Sequence, residues 1–251
     1  MDAVQRLLSQ LATGTMDAIL VTRELLGAGP GDLAHAQRIV LTHPARTEGL
    51  RTQQQRTDML QRAKDVADAI ANLPSTHSST RLIAIDGAGG SGKTTLAAAV
   101  ADLLGDIVII HGDDFYRPMP EPERARLDAL QGYERYFDWE RLRDQVLAPL
   151  RAGEPARYQA YDWSSGRLGT WREATADGVV IVEGVYSARP QLAPYYRLTV
   201  YVDAPRETCL RRLRARGQNS EEWITRWRAA EDHYLRATWP QTRARLLVRG
   251  Y

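Results

Sequence analysis

Gly87-Ala88-Gly89-Gly90-Ser91-Gly92-Lys93-Thr94 is the stretch that decides the fold. It satisfies G-x-x-x-x-G-K-[ST], with an apolar run, Leu82-Ile83-Ala84-Ile85, before it and an alanine- and leucine-rich segment reaching Leu104 after it. Glycines let the backbone turn tightly and point successive N–H groups at phosphate oxygens. A helix opening at Gly92 adds the positive end of its dipole. The pattern therefore predicts a nucleotide-binding loop made of Gly87, Ala88, Gly89, Gly90, Ser91, Gly92, Lys93, Thr94 and Thr95. Lys93 is expected to reach the β- and γ-phosphates of ATP, and the Thr94 hydroxyl to coordinate Mg2+.

Outward from the loop, short apolar runs alternate with amphipathic helical stretches. Ile107–Ile110, Val179–Val182, Leu198–Val202 and Leu246–Val248 join Leu82–Ile85 as strands. Continuous rather than alternating apolar strands imply a parallel sheet covered on both faces. The expectation is an α/β, three-layer P-loop NTPase fold with a mostly parallel five-stranded sheet over residues 81–251. Ligands of such sheets bind beyond the carboxyl ends of the strands.

Residues 1–80 read instead as an all-helical extension. Val4, Leu7, Leu8 and Leu11 recur at helical spacing, followed by Ile19, Leu20, Leu25 and Leu26. Gly27 to Gly31 breaks the pattern. Leu33, Ile39, Val40 and Leu41 mark a second stretch, 46–73 a third, and Pro74 to Thr80 a linker. Eight basic and eight acidic residues balance over this segment, which argues against a nucleic-acid-binding arm. The extension is expected to pack on the main domain or on a second copy of the chain, forming a homo-oligomer. A regulatory or partner-binding module is the rival reading.

The whole chain has 251 residues and a formal charge of +2. Of its 33 basic residues only Lys64 and Lys93 are lysines. Cys209 is the single cysteine, so no disulfide framework or cysteine-based zinc site can form. No run of about eighteen apolar residues predicts a membrane span, and the Met1-Asp2 start lacks a signal-peptide pattern. The expectation is a soluble, cytoplasmic protein acting on a small molecule, without nucleic-acid or membrane partners.

The chain contains no Asn-Lys-x-Asp guanine-reading sequence and no Leu-Ser-Gly-Gly-Gln transporter signature. It does place His111-Gly112-Asp113-Asp114-Phe115-Tyr116 at the end of the second strand. A carboxylate there can accept the proton of a hydroxyl attacking the γ-phosphate; either aspartate could instead cap the following turn. Glu183 ends Val179–Val182 at the same edge, as a metal-site acid or a plain strand-end carboxylate.

These elements, with Tyr136-Phe137-Asp138, Tyr161-Asp162-Trp163, Val182-Glu183-Gly184-Val185-Tyr186 and the arginine-rich Arg211 to Gly217, resemble the uridine kinase family in order and spacing. The wider group includes pantothenate kinase and phosphoribulokinase, and the resemblance covers about Arg81 to Gly250. It implies Asp113 as catalytic base close to magnesium and Glu183 as the second metal-associated acid. Tyr116 would line the acceptor pocket, Asp138 would hold ribose hydroxyls, and Tyr161 would contact the base. Arg211 and Arg216 would belong to a lid closing over ATP. Trp163, beside Tyr161, is the best stacking aromatic, ahead of Trp139 and Phe115, whereas Trp223, Trp227 and Trp239 read as helix packing. Ser164-Ser165-Gly166-Arg167 stands where pyrimidine-specific members carry a histidine, and Gln218 stands where an arginine is usual. Both departures count against a pyrimidine acceptor and leave the phosphoryl-transfer machinery intact. From the resemblance the acceptor is expected to be a nucleoside resembling uridine or cytidine, with a pantothenate-like compound or a sugar as alternatives. An ATP-binding switch acting through the N-terminal helices is the reading from another class.

Overall fold

The computed structural model describes residues 2–3, 5–6, 15–26, 35–36, 39–40, 44–74 and 80–250. The chain divides into two compact units, residues 1–60 and 61–251.

In the first unit, helix α1 (Thr15–Leu25) contributes Ala18 and Ile19 to a small core with Ala36 and Val40, against which Leu26 packs. The buried Thr22 hydroxyl donates to the Ala18 carbonyl at 2.7 Å and accepts from Gln5. Helix α2 (Pro44–Ala71) crosses the boundary between the units. Beyond it, Ala63, Val66, Ala67 and Ile70 are buried at helical spacing. The expectations resting on Val4, Leu7, Leu8 and Leu11, on Gly27 to Gly31, on Leu33 and Leu41 and on residues 75–79 fall outside the described residues.

The second unit carries a five-stranded sheet, ordered β2-β5-β1-β6-β7 and parallel at every pairing. The strands are β1 (Arg81–Gly87), β2 (Ile107–His111), β5 (Val179–Glu183), β6 (Leu198–Asp203) and β7 (Leu246–Arg249). Leu82, Val180 and Val182 join one core with Phe115, Leu142 and Leu147. Alternation turns Ile83, Ile85 and Ile181 to the opposite face, and they too are fully buried. This two-sided burial explains why the strands read as unbroken apolar runs.

Helix α3 (Lys93–Leu104) packs on β1, β2 and β5. Gly92 caps it in a left-handed conformation (φ 102°), and no side chain occupies the cap. The first-turn N–H groups of α3 thus lack the partner that a Ser or Asp cap would supply. Helices α4 (Ala129–Arg135) and α6 (Glu221–Thr238) pack together. Gly132 permits this approach, because a Cβ there would lie 2.9 Å from that of Ala230. Helix α5 (Arg206–Arg216) ends at Gly217, with φ 63°.

Sequence reading missed one element. β3 (Ala156–Asp162) and β4 (Arg167–Ala174) form a separate antiparallel hairpin with an irregularity between Gln159 and Tyr161. Its signal was present: Ala156, Tyr158 and Ala160 are buried at every second position, ahead of a turn containing Gly166.

Candidate active site

The β1–β5 and β2–β5 registers pair Ile85 and His111 with Glu183, so β2 and β5 end at one level and β1 runs two residues farther, to Gly87. The phosphate loop leaves β1 there. Gly87, Gly90 and Gly92 hold φ of 150°, 81° and 102°. A Cβ on Gly87 would sit 2.5 Å from the Val202 carbonyl oxygen, and one on Gly90 2.6 Å from that of Cys209. These glycines are required by crowding as well as by φ. Lys93 is buried and its Nζ donates to the Ala88 carbonyl at 2.9 Å, folding the lysine across the loop.

Beside the loop, Thr94 Oγ1 donates to Glu183 Oε1 at 3.1 Å, and His111 Nδ1 lies 2.7 Å from the same oxygen. Burial alone would raise the Glu183 carboxyl; the His111 hydrogen bond and the Lys93 charge outweigh it and hold the pKa below the ordinary value. That hydrogen bond in turn raises His111. Asp113 is open to solvent on its cleft side. Protein packed around its other sides, and then the Glu183 carboxylate, push its pKa up.

A cleft of about 690 Å³ joins these groups. Gly89, Gly90, Gly92, Lys93, Thr94 and Thr95 line it, together with Asp113 and Glu183. Gly87, Ala88 and Ser91 are not in the lining. Tyr116, Tyr161 and Trp163 line the same cleft, with ring centroids of Tyr116 and Trp163 4.7 Å apart. Trp163 remains 52% exposed. Trp223 and Trp227, expected to be helix packing, also line the cleft, stacked at 5.4 Å with planes 8° apart. Trp227 serves both purposes, since it packs on Tyr136 and Tyr186 in the core.

Other expected residues lie elsewhere. Asp138 is not in the cleft lining: it caps the helical turn Trp139–Leu142 and pairs with Arg117 at 3.2 Å and Arg141 at 3.4 Å. Phe115 is wholly buried, and Trp139 packs against the guanidinium groups of Arg143 and Arg189. Asp114 is held by Arg172 of β4 at 2.6 Å, tying the hairpin to the turn after β2. Of the two arginines expected in a lid, Arg216 reaches the cleft. Arg211 is exposed and its guanidinium lies 3.4 Å from the Thr208 hydroxyl, whereas Arg212 donates to the Gly90 carbonyl at 3.1 Å. Sequence reading missed Arg212, because a run of arginines on a helix does not say which one faces inward. It also missed Glu231 of α6, which accepts the Gly89 N–H.

The loop fits a nucleoside triphosphate: its glycines take the required turn, and α3 opens without a side-chain cap. Among the described residues no three His, Cys, Asp or Glu side chains gather as a self-sufficient metal site. Magnesium in phosphate sites needs only one or two carboxylates, since the nucleotide supplies further oxygens. Thr94 and Glu183, hard oxygen donors already 3.1 Å apart, fit that ion.

A parallel sheet bearing this loop, with carboxylates at the ends of the neighbouring strands, defines a phosphotransferase of the P-loop kinase class. More particularly, the chain belongs to the phosphoribulokinase/uridine kinase family, which matches residues 82–248. It is 29% identical to a uridine kinase of Deinococcus deserti over 156 residues, covering 58% of this chain and 75% of that one. The structure of a possible uridine kinase from Bacillus stearothermophilus shares the fold at 23% identity and TM-score 0.61, over 75% of this chain and 97% of that one. Phosphoribulokinase from Rhodobacter spheroides does so at 17% identity and TM-score 0.51, over 68% and 70%. Among the described residues no helix is long and apolar enough to cross a membrane.

Proposed function

We propose that the chain transfers the γ-phosphate of ATP to a hydroxyl of a small acceptor with a planar, nucleoside-like ring. The observation that carries this reading is one cleft lined both by the phosphate loop with Asp113 and by the rings of Tyr116, Tyr161 and Trp163. Backbone N–H groups of the loop and Lys93 would hold the triphosphate, Lys93 exchanging the Ala88 carbonyl for phosphate oxygen. Thr94, Glu183 and Asp113 would hold Mg2+, which supplies charge neutralisation at the β- and γ-phosphates. Asp113 accepts the acceptor's proton as its oxygen approaches phosphorus. Arg216 neutralises charge on the moving phosphoryl group, and the aromatic walls position the ring.

A second reading, phosphorylation of a different hydroxylated metabolite, is favoured by Asp138. Its carboxylate is occupied as a helix cap and in ion pairs, outside the cleft, so it does not offer a ribose diol its oxygens. An ATP-consumption screen over uridine, cytidine, other nucleosides, pantothenate and sugar alcohols, with mass spectrometry of products, separates the two. Uridine or cytidine gaining a phosphate supports the first reading; a product from pantothenate or a sugar alcohol alone replaces it with the second.

A further inference from the structure

The phosphate loop is gripped from behind by two helices, through two adjacent residues. Arg212 of α5 donates to the Gly90 carbonyl at 3.1 Å, and Gly90 packs so closely on Cys209 of α5 that a Cβ would not fit. From the other side, Glu231 of α6 takes the Gly89 N–H on one carboxylate oxygen. Its second oxygen meets Arg228 Nη1 at 2.6 Å, with both side chains buried. A carboxylate beside an anion-binding loop would ordinarily repel the anion. The Arg228 pairing offsets that charge while leaving the amide contact in place.

The same face of α6 also reaches the start of the loop. Positions 227, 231 and 234 share that face at helical spacing. Tyr234 Oη donates to Asp86 Oδ2 at 2.6 Å, and Asp86 accepts the Gly87 N–H at 2.6 Å on its other oxygen. Trp227, one turn earlier, walls the cleft. We propose that Glu231 is a positioning residue, which sets the tip of the phosphate loop for ATP through the Gly89 amide while Arg228 neutralises it. This role rests on ATP being the ligand of the loop. A free Gly89 amide would let the tip turn, and the neighbouring N–H groups would have to be ordered as ATP binds.

The test is calorimetric titration of the full chain with ATP and magnesium, without acceptor, beside thermal melting of each variant. Glu231→Ala is expected to weaken ATP binding by about tenfold or more, as loss of a charge-assisted hydrogen bond would. Glu231→Gln, which can still accept the amide proton, should recover most of that loss. Arg228→Met/Glu231→Met removes the ion pair as a unit and fills its space with apolar groups; it should melt near the wild-type temperature yet bind ATP as weakly as Glu231→Ala. That double variant binding ATP as tightly as wild type would overturn the role. So would a glutamine variant as weak as alanine at an unchanged melting temperature. Failure of every truncation to fold would also overturn it, by making the pair a folding element. An acceptor wrongly assigned leaves these titrations unchanged, whereas a wild-type chain that takes up no ATP removes this role together with the kinase reading.

Discussion

Asp113 and Glu183 border the same loop, yet their surroundings pull the two carboxyls in opposite directions. Crowding and the neighbouring negative charge raise Asp113, while His111 and Lys93 hold Glu183 low. Acid and base roles divide along such differences: the higher carboxyl suits proton acceptance, the lower one a cation. Asp113→Asn should still bind ATP in calorimetry and lower turnover by roughly two orders of magnitude or more in an ATP-consumption assay. The base works ionised, so kcat/KM for ATP, which reports the free enzyme, should fall with acidification on a limb displaced above the ordinary aspartate range, because crowding raises that carboxyl before ATP and Mg2+ arrive. A kcat/KM–pH profile checks this; an Asp113→Asn variant that keeps the same acid limb would remove Asp113 from the base role. The aspartate pair was legible because it follows an apolar strand. Residue type alone did not say which member faces the cleft, since neighbouring residues of a turn differ in direction and not in kind; the family resemblance pointed to Asp113, which lines it.

At the scale of elements, the loop and the two helices behind it act as one fitting. Gly90→Ala places a Cβ 2.6 Å from the Cys209 carbonyl oxygen at a φ of 81°. The left-handed backbone alone costs about 1–2 kcal/mol, so the urea midpoint should drop, with an unchanged m-value if the fold survives. Within α5, Arg216→Ala should lower kcat by on the order of a thousandfold, as loss of an arginine on the transferred phosphoryl group does. Arg211, exposed beside Thr208, should matter far less, and steady-state kinetics of both variants distinguishes the two positions. The loop, β1 and α3 were readable because local chemistry dictates them: glycine for φ, alanine and leucine for helix. The hairpin was harder. Only part of it is buried, and its outer positions, among them Trp171 and Leu168, are exposed and give a weak alternating signal. Glu231 and Arg212 were invisible for another reason: they lie 142 and 122 residues from the loop atoms they hold, and nothing in spacing reports such a meeting.

For the whole molecule, compactness assigns residues 61–251 to one unit, while composition changes at the linker near residue 80. The buried Val66 and Ile70 lie between those limits, where Arg81 donates to the Ile70 carbonyl and Arg197 to that of Pro74. A chain beginning at residue 61 keeps that whole compact unit and should therefore fold and retain acceptor turnover. One beginning at residue 81 should melt several degrees lower, since each large apolar side chain contributes about 1.5–3 kcal/mol and each kcal/mol shifts melting by about 2–4 °C. Calorimetric melting of the two truncations checks this. The aromatic lining of the cleft adds one practical property. Three of the chain's six tryptophans stand on its walls, one of them half open to water. Indole emission moves to shorter wavelength when water leaves the ring, so the molecule carries its own optical gauge: an acceptor settling against these rings would announce itself in the unlabelled protein's spectrum, before any phosphate has moved.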